Sequence, residues 1–201
     1  MSKQLLVDYT LFEVSSHQIN ESLNNNGGRL IVNGVLQRAE SRNQNGRIYP
    51  RTILMREASK YADTYIKERR ALGELDHPDS SVVNLNNVSH NVVSMEWQGN
   101  NLIGTVEVLS TPSGNILKEL FKAGIKLGIS SRGMGSVKEV MREGEDTVEV
   151  QSDFELIAFD FVSNPSTHGA FLTPVNESVN KLVADKYAKV NALISNIIRE
   201  F

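Results

Sequence analysis

The sequence predicts an α+β fold in which a mainly antiparallel β core is covered by a few helices. Residues 91–97 and 102–109 alternate apolar and polar side chains around a glycine-containing turn, which is the pattern of a β-hairpin. Residues 125–140 alternate more loosely, and 147–151 and 154–162 predict further strands. Short turns between consecutive strands favour antiparallel pairing.

Three other segments complete the predicted core. A helix is expected from about residue 50 to Arg70, because Pro50 favours a helix start and apolar residues follow at helical spacing: Ile53, Leu54, Ala58, Tyr61, Ala62, Tyr65 and Ile66. A shorter helix over 113–123 is expected to end at Gly124. Residues 30–39 predict a strand with a glycine bulge or bend at Gly34.

The chain is expected to divide into three parts. Residues 1–28 are predicted to be an N-terminal lead-in, because 15–28 are polar and rich in turn-forming residues. Residues 29–175 are predicted to form the compact domain. Over 176–201 the apolar residues recur at spacings of three and four, which predicts an amphipathic helical tail: Val183, Tyr187, Val190, Ile194, Ile197 and Phe201. This helix has two open alternatives, packing on its own domain or docking on a partner helix.

Composition and charge exclude several classes of function. A net charge of −3 with scattered basic residues gives no electrostatic footprint for nucleic acid or an anionic membrane. The absence of cysteine excludes a thiol nucleophile, a disulfide and a thiolate metal site. No apolar run approaches the roughly 18 residues of a membrane span, so residence in the cytoplasm is expected. The sequence has no P-loop, dinucleotide-binding fingerprint or His-Glu-x-x-His pair, so no cofactor and no metal are expected.

His77 is the predicted base of a site with a serine nucleophile. Such a site needs a base for the hydroxyl proton, a group that orients the base and donors for the oxyanion. His77 lies in a short loop between Gly73 and Pro78, which a helix and a hairpin frame. The alternative is an exposed loop histidine that caps a carbonyl. The other three histidines are expected at the surface: His17, His90 and His168.

The predicted nucleophile lies in the glycine-rich run 128–136, which contains Ser130 and Ser131. Adjacent residues of a strand point to opposite faces, so only one serine of the pair faces a cleft. Glycines leave backbone N–H groups accessible near the hydroxyl, and Arg132 is placed to support an oxyanion. The alternative is a glycine-rich strand end without a catalytic role.

Asp160 is the predicted orienting acid. It interrupts the apolar run 156–162, where a carboxylate is costly unless it has a partner. The alternative is a structural aspartate that caps the turn at 163–165. Three other carboxylates are further candidates: Glu155, Asp76 and Glu74.

Three segments together resemble one family. Residues 43–50 end in Gly-Arg-Ile-Tyr-Pro, 73–78 are Gly-Glu-Leu-Asp-His-Pro, and 128–136 are Gly-Ile-Ser-Ser-Arg-Gly-Met-Gly-Ser. Over most of residues 29–175 the chain resembles the prohead maturation proteases of T-even-type tailed phages. That family is similar in fold to the herpesvirus assemblins, which implies a β-barrel-like core surrounded by helices and an active site with a serine and a histidine.

The resemblance also implies roles for single residues. The base, the nucleophile and the two residues beside the oxyanion would be His77, Ser130, Arg132 and Gly133 respectively. Asp160 is the expected third member, because its segment matches the last core strand of the family. Assemblins use a second histidine in that role, so His90 stays open, and so does Glu155.

Substrates and a location follow from the same resemblance. Members of the family cleave scaffold and capsid proteins, and themselves, after glutamate in a hydrophobic-x-Glu sequence followed by a small residue. Val175-Asn176-Glu177 followed by Ser178 fits this rule. Autocleavage after Glu177 is therefore expected, in the prohead interior within the host cytoplasm. The candidates for binding the substrate glutamate are basic: Arg42, Arg47, Arg51 and Lys122.

Two other functions stay open. The first is a catalytically inactive prohead scaffold or assembly module with the same fold and a helical tail that recruits it. The second is a different hydrolase that uses Ser131 or a pair of carboxylates. Assembly into a homo-oligomer is left open as well.

Overall fold

Ten strands and three α-helices are formed by residues 2–142 and 144–163, the part of the chain that this computed structural model describes. The strands are β1 (Gln4–Phe12), β2 (Leu30–Arg38), β3 (Arg47–Ile48), β4 (Leu72–Glu74), β5 (Val88–Gln98), β6 (Asn101–Val108), β7 (Leu127–Gly135), β8 (Val137–Arg142), β9 (Glu145–Val150) and β10 (Glu155–Val162). The helices are α1 (Ser16–Asn25), α2 (Arg51–Tyr61) and α3 (Pro112–Lys122), with a π-helical turn at Ala62–Ile66 and a 3₁₀ turn at Leu85–Asn87. The predicted α+β class is confirmed.

Within the described residues the strands form three sheets and no closed barrel. The strand orders are β1-β7-β10, β2-β6-β5-β4 and β3-β9-β8, and only β3 and β9 pair in parallel. The first two sheets meet where Leu75 forms a single parallel bridge to Phe161. The expectation of a barrel-like core is corrected in this respect. Strand β4 is only three residues long, and the residue after it, Leu75, makes one bridge to β10 where a closed barrel would need a continuous ladder.

The predicted hairpin is confirmed as β5 and β6. Gly99 occupies the turn with a φ of +59°, in the left-handed region that glycine adopts without strain. Strand β2 adds to the outer edge of β6, and its bulge lies between Val35 and Gln37 instead of at Gly34. Position 34 needs a glycine for a different reason, since a Cβ atom there would lie 2.4 Å from Cε2 of Phe12. The glycine therefore makes room for an aromatic side chain of the neighbouring sheet.

Both predicted helices are present, but the first is α-helical only to Tyr61 and continues as a π-helical turn to Ile66, short of the predicted end at Arg70. Helix α2 follows Pro50 and buries Leu54, Ala58 and Tyr61. In α3, the side chain of Thr111 accepts a hydrogen bond from the Gly114 N–H, and the helix ends before Gly124, which has a φ of +72°. None of the helices in the described ranges is long and apolar enough to cross a membrane.

The N-terminal segment corrects the expected start of the domain. Strand β1 pairs with β7 along its whole length, from Gln4 opposite Gly135 to Phe12 opposite Leu127. Helix α1 begins with a capping box between Ser15 and Gln18 and buries Ile19. The described residues 2–28 therefore pack as part of the compact domain, and are not a lead-in. The polar run concealed a helix because only a narrow face of α1 packs inward.

Several expectations concern residues outside the described part of the chain. They are the end of the domain at 175, the helical tail over 176–201, the placement of His168, and cleavage between Glu177 and Ser178. These stay predictions.

Candidate active site

Ser130 lies in the middle of β7, the central strand of the β1-β7-β10 sheet. Its neighbours across the sheet are Tyr9 on β1 and Asp160 on β10. Residues directly opposite in an antiparallel pair project from the same face, so Ser130 and Asp160 share a face. Ser130 is 1% exposed, and its hydroxyl has no hydrogen-bond partner among the described residues. Buried polar groups without a hydrogen-bond partner are uncommon in proteins, and Ser130 shares this state with the hydroxyl of Tyr61 among the described residues.

Ser131 has different surroundings on the other face of the strand. Its Oγ accepts a hydrogen bond from Nε2 of Gln37 at 2.7 Å and donates one to the Asp8 carbonyl oxygen at 3.3 Å. Both donor and acceptor capacity of this hydroxyl are used. Alternation along the strand places the two serines on opposite faces. The Ser131 hydroxyl is hydrogen-bonded there, whereas the Ser130 hydroxyl is not.

Arg132 is fully buried and uses all five N–H donors of its guanidinium group. Nε donates to Oδ2 of Asp160 at 2.8 Å, and Nη2 donates to Oδ1 of Asp160 at 3.2 Å and to Oε1 of Glu74 at 3.0 Å. Nη1 donates to the carbonyl oxygens of Ser80 and Val82 at 2.8 and 3.3 Å. We call Arg132, Glu74 and Asp160 the arginine cluster. With every donor used, the side chain of Arg132 holds protein groups in this state, and its predicted oxyanion role stays a prediction.

Asp160 is fully buried and lies against Arg132. In addition to the arginine, Oδ1 accepts a hydrogen bond from the Glu74 backbone N–H at 3.0 Å, so three of about four acceptor positions are used. Burial raises the pKa of the Asp160 carboxyl, and the Arg132 charge opposes that rise. The sequence correctly indicated that this carboxylate needs a partner, and Arg132 is that partner. Orientation of His77 by Asp160 stays a prediction.

His77 is half-buried in the segment 75–87, which we call the histidine loop. The loop starts where the Asp76 N–H donates to the Phe161 carbonyl oxygen at 2.8 Å, one residue beyond Asp160 on β10. Asp76 has a φ of +65°, and its side chain accepts a hydrogen bond from the His77 N–H at 3.0 Å. The structure therefore fastens the start of the histidine loop to the strand that faces Ser130.

His90 corrects the expectation of a surface residue, since it is completely buried. Its Nε2 lies 2.9 Å from the Phe159 carbonyl oxygen, and its Nδ1 lies 2.9 Å from Oγ of Ser89. Burial lowers the pKa of His90 to about 4, so the ring is neutral near pH 7. In the neutral tautomer that satisfies both contacts, Nε2 donates to Phe159 and Nδ1 accepts from Ser89. The ring thereby links β5 to β10.

Other candidates have contacts of their own. Glu155 is exposed at the start of β10 and pairs with Lys3 at 3.1 Å. Gly133 packs closely on the start of β10 and the residue before it, because a Cβ atom there would lie 2.4 Å from Cε2 of Phe154 and 2.6 Å from the Glu155 carbonyl oxygen. Neither observation tests the roles predicted for these two residues.

A cavity of about 360 Å³ lies beside β1 and the end of β2. Tyr9, Gln37, Arg38 and Arg42 are among its lining residues. Neither serine lines the cavity, but two of its lining residues neighbour them, since Tyr9 is opposite Ser130 in the sheet and Gln37 contacts Ser131. Of the four basic residues considered for binding glutamate, Arg42 lines this cavity.

Sequence reasoning missed a second buried cluster. Asp8 is fully buried and accepts hydrogen bonds from Asn45 at 2.7 Å, from Arg47 at 3.0 Å and from the hydroxyl of Tyr49. Burial, reinforced by the Asp8 charge, raises the pKa of Tyr49. These contacts tie the segment 43–50 to β1. The sequence does contain a sign of this cluster, because Asp8 interrupts an apolar run in the same way as Asp160.

Comparison with known proteins identifies the class. Residues 6–180 match the family of prohead core protein serine proteases. That range is more than half of the chain, so the chain belongs to this family, and the resemblance inferred from three short segments is confirmed.

Two relatives extend the comparison to sequence and structure. The prohead core protein protease of Enterobacteria phage T4 is 32% identical over 148 residues, which cover 72% of this chain and 68% of the relative. The solved structure of the bacteriophage T4 capsid assembly protease is similar with a TM-score of 0.69 and 26% identity, covering 82% of this chain and 100% of that one. The present chain is a bacteriophage prohead protease.

Proposed function

We propose that this protease is a serine endopeptidase that matures the prohead by cleaving scaffold, core and capsid proteins, and itself, after glutamate. The preferred sequence is hydrophobic-x-Glu followed by a small residue. The observation that carries the proposal is the buried Ser130 hydroxyl, whose hydrogen-bonding capacity is unused among the described residues, on the strand that Arg132 ties to the histidine loop. Membership of the prohead core protein serine protease family supports the same chemistry.

In the proposed mechanism His77 takes the proton from Ser130 as Oγ attacks the scissile carbonyl carbon. Collapse of the tetrahedral intermediate breaks the C–N bond, and His77 gives its proton to the leaving amine. Water then attacks the acyl-enzyme ester with His77 again acting as base, and the serine hydroxyl is restored. Arg132 and Gly133 are proposed to lie beside the oxyanion through their backbone, because the Arg132 side chain uses all its donors on protein groups.

The acid of the site is proposed to act through the arginine cluster. The Asp160 carboxylate accepts two hydrogen bonds from Arg132 and one from the Glu74 N–H, which occupy most of its acceptor positions. A direct contact with His77 is the alternative for Asp160, and His90 and Glu155 stay as further alternatives for the third member.

Glutamate specificity is proposed to come from the cavity beside β1. Arg38 and Arg42 bring two positive charges to a lining that includes Tyr9, which lies opposite the proposed nucleophile. A guanidinium group binds a carboxylate through two parallel hydrogen bonds, which suits a glutamate side chain. Arg42→Gln should therefore raise KM for a glutamate substrate, and an equal KM would remove Arg42 from the pocket.

We further propose an assemblin-type fold and action inside the prohead within the host cytoplasm. The antiparallel sheets and covering helices support the fold relationship. The names of the T4 relatives support the place of action, since they describe a prohead core protease and a capsid assembly protease.

The test is mass spectrometry of a peptide spanning residues 174–181 after incubation with wild type, Ser130→Ala and Ser131→Ala. Wild type and Ser131→Ala should cleave after Glu177, whereas Ser130→Ala should be slower by roughly 10⁴ to 10⁶-fold. Equal cleavage by Ser130→Ala and wild type would place the nucleophile elsewhere. No cleavage by any of the three would favour the inactive assembly module.

A further inference from the structure

We propose that Arg132 is a positioning residue that holds the histidine loop over the strand of Ser130, and that Glu74 and Asp160 fix its guanidinium for this task. The inference rests on the proposed function, in which His77 is the base and Ser130 the nucleophile. It assigns to the arginine cluster a role in placing the base relative to the nucleophile.

The guanidinium group has two kinds of partner on different edges. Nε donates to Asp160, and Nη2 donates to both Asp160 and Glu74, at distances of 2.8 to 3.2 Å. These three hydrogen bonds are buried and join charged groups. Nη1 points to the histidine loop and donates to two of its backbone carbonyls, those of Ser80 and Val82. The carboxylates therefore orient the planar group, and the remaining edge binds the loop.

Glu74 provides a second connection to the same loop. Its Oε1 accepts a hydrogen bond from the Asn84 N–H at 2.9 Å in addition to that from Arg132. At the base of the loop the Leu75 N–H donates to the Asn87 carbonyl oxygen at 3.0 Å. The arginine cluster thus holds the loop at three backbone positions, 80, 82 and 84.

His77 lies between two backbone attachments of the histidine loop, one at Asp76 and one at Ser80. On one side Asp76 is bound to β10 through the Phe161 carbonyl, and on the other side Ser80 is bound to Arg132. Only residues 77–79 span the interval. A segment this short has little conformational freedom once both ends are held, so the attachments restrict where the imidazole can lie.

Lysine cannot replace arginine in this role. It carries the same charge but offers three donors on a flexible stem, without the planar fork that serves two carboxylates and two carbonyls together. If the residue only neutralised Glu74 and Asp160, Arg132→Lys would be well tolerated. If it positions the loop, the same variant must loosen residues 75–87 and slow the chemical step.

The first experiment combines kinetics with hydrogen exchange. We expect Arg132→Lys to lower kcat on the 174–181 peptide by roughly 10²-fold, with a smaller change in KM, because small displacements of a catalytic group cost about this much. Exchange measured in a Ser130→Ala background, which prevents self-cleavage, should be faster across 75–87 and unchanged in the β5-β6 hairpin. The matched control is Glu107→Gln, since Glu107 is a buried carboxylate on β6 that pairs with Arg29 and Arg69. It should leave kcat and loop exchange as in wild type.

A second variant pair avoids the buried charges, in case Arg132→Lys fails to fold. Asn84 is exposed and has a φ of −87°, close to the range of proline. Asn84→Pro removes the N–H that Glu74 binds, together with the side-chain bond to the Asn86 N–H, whereas Asn84→Ala removes only the latter. Loop exchange should rise and kcat should fall in the proline variant relative to the alanine variant.

The outcomes separate this inference from the proposed function. Full activity of Ser130→Ala would overturn the proposed function. If Ser130→Ala is inactive but Arg132→Lys keeps normal kcat and normal loop exchange, positioning by Arg132 is wrong. A loss of kcat in Arg132→Lys with unchanged loop exchange would also overturn it, because it would mean that Arg132 acts on the substrate directly.

Discussion

Each face of β7 carries a serine opposite a buried aspartate, but the two serines differ in their hydrogen bonding. On one face Ser130 is opposite Asp160 of β10, and on the other face Ser131 is opposite Asp8 of β1. Both aspartates are fully buried, and each binds an arginine. A serine beside a buried aspartate is thus present twice within two consecutive residues of one strand.

The difference lies in how much hydrogen-bonding capacity each face has left. The Ser131 hydroxyl and the Asp8 carboxylate are satisfied by fixed parts of the chain, so that face joins the 43–50 segment to the sheet. On the other face the Ser130 hydroxyl has no partner among the described residues, and Arg132 reaches a loop instead of a strand. Of the two hydroxyls, that of Ser130 is therefore the one with hydrogen-bonding capacity left for a base or a substrate.

The largest expected effects compare the two aspartates. Asp160→Ala and Asp8→Ala should each lower the free energy of unfolding by about 3 to 5 kcal/mol, because each leaves a buried charge or several donors without their acceptor. Only Asp160→Ala should also lower kcat per folded molecule. Urea unfolding and peptide cleavage at low temperature would measure both. An equal loss of kcat in Asp8→Ala would contradict the proposal that only the Ser130 face takes part in catalysis.

The next effect concerns the attachment of β10 through His90. The folded pKa of about 4 lies below the ordinary value of 6.5, so the neutral ring stabilises the fold above pH 6.5 and this stability is lost as the pH falls toward 4. The loss should approach about 3 kcal/mol at low pH. His90→Gln should show a correspondingly smaller change in unfolding free energy between pH 7 and pH 4.5. Parallel pH profiles for the two proteins would contradict the buried neutral state.

A smaller effect is expected at Tyr49. Tyr49→Phe removes the hydroxyl that donates to Asp8 and should cost about 1.5 kcal/mol, the usual range for a hydrogen bond to a charged group. Because this contact lies on the Ser131 face, kcat should stay within about twofold of wild type. Chemical unfolding with parallel cleavage assays would check both statements, and a large fall in kcat would show that the Asp8 cluster reaches the chemistry.

The smallest effect is expected from Gln37→Ala. It removes one neutral hydrogen bond to Ser131 and should cost about 1 kcal/mol. Thermal unfolding would detect this as a shift of a few degrees. A loss of several kcal/mol would indicate that the Ser131 face is a more tightly coupled network than its contacts suggest.

Much of this arrangement could be predicted from sequence, for identifiable reasons. Alternation indicated the strands and the division of the serine pair, and the interruption of an apolar run indicated that Asp160 needs a partner. The partners themselves could not be predicted, because Arg132 is 58 residues from Glu74 and 28 from Asp160 along the chain. The same limit hid the pairing of β1 with β7, and the polar surface of α1 made a packed helix resemble a loop.

The strand order β1-β7-β10 has a consequence for the timing of activity during synthesis. The strand that carries Ser130 lies between the first and the last strands of the described chain, and the last one supplies Asp160 and the Phe161 carbonyl. A chain emerging from the ribosome forms its N-terminal contacts first. A nascent chain that ends before β10 therefore lacks Asp160 and the Phe161 carbonyl, so the sheet around Ser130 can be completed only after β10 has left the ribosome.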